Sequence, residues 1–182
     1  MDRNLVLAEH ENFETERLRL RRLTMADAAA FFDLASNDEV ARFVPWEVHK
    51  DLEETKAVLA NVFLPNSLMH WGVVEKASGR LIGEICLIFK KEKMAEFGWE
   101  MNHDYWGQGM MPEAARVLRD FCFDELECEI VTARHMTENQ KSGRVMEKIG
   151  MHKIGQSYDY FEKFGKVVLL DNWAITREEV KK

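Results

Sequence analysis

Residues 17–22, RLRLRR, alternate Leu18 and Leu20 with arginines, the period-two pattern of a strand with one face buried. Thr24 and Asp27 then match a capping box, and Met25, Ala28, Ala29, Phe32 and Ala35 follow on one helical face. Asp51 with Glu54 opens a second helix carrying Thr55, Val58, Leu59 and Val62, which Pro65 is expected to end. HWGVVE from His70 and LIGEICLIF from Leu81 read as two strands of a hairpin turning at Ser78 and Gly79. After a solvated KKEK turn, residues 95–101 put Ala95, Phe97, Trp99 and Met101 on one face and Glu96, Gly98 and Glu100 on the other. A glycine inside such a run marks a bulge or a close backbone approach.

Ala114, Val117, Leu118, Phe121 and Cys122 have helical spacing, and EIVTARHM is strand-like. Thr137 and Gln140 bracket another helix start, with Ser142, Val145, Met146 and Ile149 on one side and Gly150 as its stop. Two strands close the chain, near 151–160 and 166–175. Hairpins early and late with one strand-helix-strand crossover between them predict an α+β fold: a mixed, mostly antiparallel sheet of about seven strands flanked by about four helices. With 182 residues and 46% apolar composition one substantial core is expected, hence a single domain over 1–182, its first dozen residues a loosely held arm.

The longest apolar stretches, LVLA and VVLL, are far short of the roughly 20 residues a bilayer requires, and no basic segment precedes an apolar run with a cleavage site, so a cytoplasmic protein is expected. Cys86, Cys122 and Cys128 are odd in number and, with the scattered histidines, form no zinc spacing; reduced buried thiols and no metal are expected. A net charge of −7 argues against a nucleic-acid surface, which needs an extended basic face. A small anion held by local basic groups stays open.

Gly107 and Gly109, in WGQGMMPEA, stand directly before a helix. Glycines there let an anion approach the unpaired N–H groups of the first turn, and Pro112 suits that turn because it lacks an N–H. A bare Gly-x-Gly equally fits a tight turn serving backbone geometry alone. No Lys-Ser/Thr pair follows for a P-loop, and Pro112 stands where the dinucleotide fingerprint needs a small residue.

The succession AEFGWEM, WGQGMM, EIVTARHM and TENQKSGRVMEKIGM, together with TERLRLRRL, FVPWE and LLDNWAITREE, resembles the GNAT superfamily of N-acetyltransferases over nearly the whole chain, especially the branch acting on N-terminal residues of ribosomal proteins. The resemblance implies acetyl-CoA as cosubstrate and a primary amine as acceptor, which attacks the thioester directly with both substrates bound. The family's Arg/Gln-x-x-Gly-x-Gly/Ala loop places Trp106, Gly107, Gln108, Gly109, Met110 and Met111 against the diphosphate, with Trp106, Gly109 and Met111 at the defining positions. Met111 replaces a small residue, and Pro112 stands where this branch often has Thr.

Further implied roles are a Met101 amide for the developing oxyanion and contacts from Asn139 and Ser142 to pantetheine, Ser142 also being the proton donor to sulfur. Without the resemblance Asn139 and Ser142 read as an ordinary helix cap and first-turn residue. Glu100 is chosen as the base, with Glu84 second; Lys141, Arg144 and Arg116 are the local cations, and Tyr158 and Tyr160 are candidates for the acceptor mouth. Phe43 and Trp46 lie in a segment that lines the acceptor pocket in relatives. A binding module that captures acyl-CoA without transfer is the alternative, and a homodimer is possible.

Overall fold

A computed structural model describes residues 2–180. Eight strands form one sheet in the order β1-β2-β3-β4-β5-β6-β8-β7, comprising β1 (Phe13–Glu14), β2 (Leu18–Arg21), β3 (His70–Glu75), β4 (Leu81–Lys91), β5 (Met94–Met101), β6 (Ile130–Met136), β7 (His152–Phe161) and β8 (Lys166–Thr176). All neighbours are antiparallel except β5 and β6, which the crossover helix α5 (Met110–Asp124) joins in parallel. The strand missed by sequence patterning is β1, too short at two residues to display a period.

Seven α-helices are present among the described residues: α1 (Arg3–Glu9), α2 (Ala28–Ala35), α3 (Asp38–Ala41), α4 (Leu52–Val58), α5, α6 (Gln140–Lys148) and α7 (Arg177–Val180). The expected loose arm is instead the helix α1. Asp2 caps it by accepting from the N–H groups of Asn4 and Leu5, Leu7 is fully buried, and Arg22 Nη2 donates to the Leu7 carbonyl.

Two other expectations are corrected. The Thr24–Asp27 capping box is present, but it opens a tight 3₁₀ turn, Met25–Asp27, before α2 begins. Three residues at 3₁₀ pitch rotate the following face, so α2 buries Ala28, Phe31, Leu34 and Ala35, while Met25 is exposed and Phe32 half-buried. Pro65 does not end the second helix: α4 stops at Val58, widens into a π turn over Leu59–Phe63, and Pro65 sits in the first turn of a following 3₁₀ segment, Leu64–Met69. A proline is tolerated there because its missing N–H would have had no partner.

The core lies on both sides of the sheet. Val73 and Val74 on β3, and Leu81 and Ile82 on β4, are adjacent pairs that point oppositely. One of each joins a large cluster with α1, α5 and α6, and the other a smaller cluster with Phe31 and Leu34 of α2 and Val40 of α3. The fold is therefore one mixed α/β domain, with helices on both faces of a mostly antiparallel sheet. No helix among the described residues is long and apolar enough to cross a membrane.

Candidate active site

The parallel pairing of β5 with β6 covers only Met94–Phe97 against Ile130–Ala133. Beyond it, residues 98–101 pair with β4 alone, and Arg134–Met136 pair with β8 alone, so the sheet opens into a wedge. The Asn102 N–H bonds to the Ile82 carbonyl on the β4 side, and backbone directions alternate along a strand, so the Met101 N–H and C=O face the wedge. The Met101 carbonyl is taken by the Trp106 indole N–H at 2.8 Å.

A cavity of about 880 Å³ occupies the wedge. Among the expected site residues it is lined by Glu100, Met101, Trp106, Gly107, Gly109, Met110, Met111, Asn139 and Ser142. Gln108 is not among them: its amide donates to the Asp104 carbonyl, leaving only its backbone in the loop. Gly107 and Gly109 have φ of +77° and +79°, values that favour glycine, and a Cβ on Gly107 would meet nothing within 4 Å. A Cβ on Gly109, by contrast, would lie 3.6 Å from Arg17 Nη2. Gly109 is the N-cap of α5, its carbonyl accepting from the Glu113 N–H.

Met110 and Met111 are each nearly fully buried and belong to the main core cluster. The long side chain that replaces the family's small residue at Met111 thus packs into the sheet face rather than standing across the loop. A brace missed by sequence reasoning holds the loop from behind. Glu113 accepts from Thr15 Oγ1 at 2.5 Å, the Arg17 N–H at 2.9 Å and Arg17 Nε at 2.8 Å, while Arg17 Nη1 donates to the Gln108 carbonyl. Burial raises the Glu113 carboxyl, but the bonds from Thr15 and Arg17 outweigh it and hold the pKa below the ordinary value.

Across the wedge, Asn139 caps α6 with its side-chain oxygen near the Ser142 N–H and donates Nδ2 to Ser142 Oγ at 3.2 Å. The Ser142 hydroxyl, having accepted this bond, keeps its own proton for the cavity. Close packing of α6 on β6 requires Gly143, where a Cβ would lie 2.9 Å from His135 Nε2. His135 is fixed in turn, Trp173 Nε1 bonding its Nε2 and its Nδ1 meeting the Met136 carbonyl.

Of the expected cations, Arg144 lines the cavity, and Lys141 does so with its ammonium 4.1 Å from the Trp106 ring centre. Arg116 does not: its Nη2 bonds the Lys148 carbonyl at the end of α6. Lys148 itself, unremarked in the sequence, lines the cavity. Tyr158 and Tyr160 are also corrected, being exposed on β7 and absent from the cavity wall, because their alternation turns them outward.

Glu100 stands on the other face of β5, in the cavity wall. Trp46 Nε1 donates to its Oε2 at 3.1 Å, whereas Oε1 is buried with no partner. Burial, then the charge of Glu84, raise its pKa to about 8, opposed by the Trp46 bond. The strands approach closely here. A Cβ on Gly83 would lie 2.6 Å from the Glu100 carbonyl, and one on Gly98 3.0 Å from Cys86 Sγ, so Gly98 marks a close approach without a bulge. Phe43 and Val44 also line the cavity.

A diphosphate-bearing thioester suits this wedge. A glycine loop presents unobstructed backbone at a helix start, unpaired strand edges flank a channel, and Lys141, Arg144 and Lys148 supply local positive charge to a protein of net charge −7. Residues 17–152 match the family described as Acetyltransferase (GNAT) domain. The chain therefore belongs to the GNAT acetyltransferases, and its cosubstrate is acetyl-CoA.

It is 30% identical over 157 residues to the uncharacterized N-acetyltransferase YoaA of Bacillus subtilis, spanning 84% of this chain and 89% of that one. A GNAT-family acetyltransferase from Bacillus anthracis superposes with a TM-score of 0.80 at 26% identity, covering 92% of this chain and 99% of that chain. The fold is also that of spermidine N-acetyltransferase from Vibrio cholerae, solved with CoA and spermine: TM-score 0.74, 20% identity, 92% of this chain and 100% of the other.

Proposed function

We propose that the protein transfers the acetyl group of acetyl-CoA to a primary amine, either a protein N-terminal α-amine or a small-molecule amine, with both substrates bound together in the wedge. The observation that carries this reading is Glu100, which lines the cavity that begins at the glycine loop and keeps one buried oxygen, Oε1, without a partner. Acetyl-CoA supplies an activated carbonyl with a thiolate leaving group. The protein must position the amine, remove its proton, hold the developing oxyanion and protonate the departing sulfur.

Glu100 takes the amine's proton. A carboxyl near 8 and an α-amine near 8 exchange a proton at little cost, whereas an amine near 10.4 would lose it less readily. The Met101 N–H, facing the wedge, is the oxyanion donor, and the Ser142 hydroxyl, oriented by Asn139, donates to sulfur. Backbone from Trp106 to Met111 holds the diphosphate. A binding-only module would be favoured by a loop that Met111 obstructs, but Met111 is packed in the core.

The test is thiol release from acetyl-CoA with a panel of N-terminal peptides, polyamines, amino sugars and antibiotics. Turnover with at least one amine is expected, and Glu100→Gln should abolish most of it while calorimetry finds acetyl-CoA affinity retained. Acetyl-CoA binding without thiol release on any amine would favour a sensor instead. A homodimer is part of the same proposal: Tyr158, Tyr160 and Val167 expose 77%, 52% and 59% of their surface beside an edge strand that pairs on one side only.

A further inference from the structure

Glu100 does not stand alone on its sheet face. In the strand register Glu84 is its direct partner across β4 and β5, and His70 lies one strand further, opposite Cys86. Glu84 is 3% exposed, and its Oε1 shares a 2.7 Å hydrogen bond with His70 Nδ1. His70, Glu84, Glu100 and Trp46 thus form a row from β3 across β4 and β5 to the segment after α3, joined by hydrogen bonds at both ends. At its centre are two carboxyls facing each other across a strand pair. Like charges in that position repel, and burial leaves little water to screen them.

We propose that Glu84, anchored by His70, is a positioning residue for the transfer reaction: it sets the pH at which Glu100 accepts the amine's proton. Glu100 remains the group that takes the proton, and Glu84, its register partner, acts on it only through charge. The inference rests on Glu100 being the base. It agrees with the charge of Glu84 standing next to burial among the causes that raise Glu100, and with the raised Cys86 thiol, which feels burial first and then both carboxylates.

Other titratable groups lie near the row: Glu39 and Arg42, ion-paired at 3.8 Å, and His103 line the cavity with Glu100. Glu96, on the same face of β5, lies within ion-pair distance of Lys90 and Arg134, and His49, its ring 5.6 Å from that of Trp46, bonds Thr55. Cys86 Sγ lies within 4.8 Å of the His70 and Glu84 ligand atoms, a donor set of the kind that holds a divalent metal. In this structure His70 Nδ1 and Glu84 Oε1 meet directly at 2.7 Å as a hydrogen bond, and metal content is one of the outcomes that the test reads.

The experiment compares pH profiles of kcat/KM for the native chain, Glu84→Gln, His70→Gln and the double variant, beside a carbon-13 titration of the Glu100 carboxyl in each resting protein. Native activity should rise through a limb near pH 8. Glu84→Gln removes the facing charge and should move that limb, and the Glu100 titration with it, to lower pH by roughly one unit, a plateau within severalfold of native being retained. The limb stays above the ordinary carboxylate range because burial persists.

The double variant should reproduce the Glu84→Gln limb, since His70 acts through Glu84. A Glu100 titration unmoved by Glu84→Gln would overturn the proposal, whether or not activity changes. Stoichiometric metal in the purified protein that His70→Gln removes would also overturn it. A titration that moves while Glu100→Gln keeps full turnover would instead leave the coupled pair standing and remove Glu100 as the base.

Discussion

Gly109, at φ +79° with its carbonyl taking the first bond of α5, is the residue that most directly tests the proposed diphosphate site. A valine there must adopt a conformation that costs roughly 1–3 kcal/mol and adds a branched side chain to the loop. Gly109→Val should therefore weaken acetyl-CoA binding by roughly tenfold or more in a calorimetric titration, and unchanged affinity would reduce the loop to a turn. Ser142→Ala should lower turnover with little change in that affinity, because the role proposed for the hydroxyl is at the leaving sulfur. Full activity in this variant would remove Ser142 as donor.

Single residues were legible in the sequence where a local pattern carried them: alternation along residues 95–101 put Glu100 on the face opposite Trp99. Asn139 came from the family resemblance, since the local pattern bracketed the helix start by Thr137 and Gln140 whereas the cap is Asn139. The bond from Trp46 spans 54 positions and depends on how the segment after α3 folds back over β5, which no local period encodes. His70 and Glu84 were separately visible as strand residues, but their contact depends on register across β3 and β4.

At the level of elements, the start of β2 is tied to α5 through Thr15, Arg17 and Glu113, and this brace supports the glycine loop. Arg17→Ala should loosen the loop, raising the dissociation constant for acetyl-CoA with little effect on turnover at saturation. The Glu113 carboxyl titrates below its unfolded value, so its contribution to stability is complete above about pH 4.3 and is lost as pH falls through the lower folded pKa. Acid melting curves should record this: Glu113→Gln lowers the midpoint at neutral pH and narrows its gap to native as the solution is acidified. Sequence patterning placed the strands well because β2 and the first half of β5 alternate, while β3 and β4 are apolar runs flanking a turn signal. It misjudged the face of α2, since a single 3₁₀ turn rotates everything after it, and it missed α1, whose seven residues hold one fully buried side chain.

For the whole molecule, the crossover between hairpins already implied a mixed sheet, but the width of the β5–β6 pairing could not be read from either strand. Association is a property of this scale too. Sedimentation should give a dimer for the native chain and a monomer for Tyr158→Lys with Val167→Lys, both folded, and an unchanged dimer in the variant would move the interface elsewhere. The short parallel pairing has one more consequence. Apart from helix packing and the crossover, five strands on one side and three on the other are joined by four residue pairs, a seam left unzipped for half its length. Coenzyme lying along it would act as a stitch, so warming should part the two sides there first, and saturating ligand should delay that rupture by far more than it slows the fraying of β1.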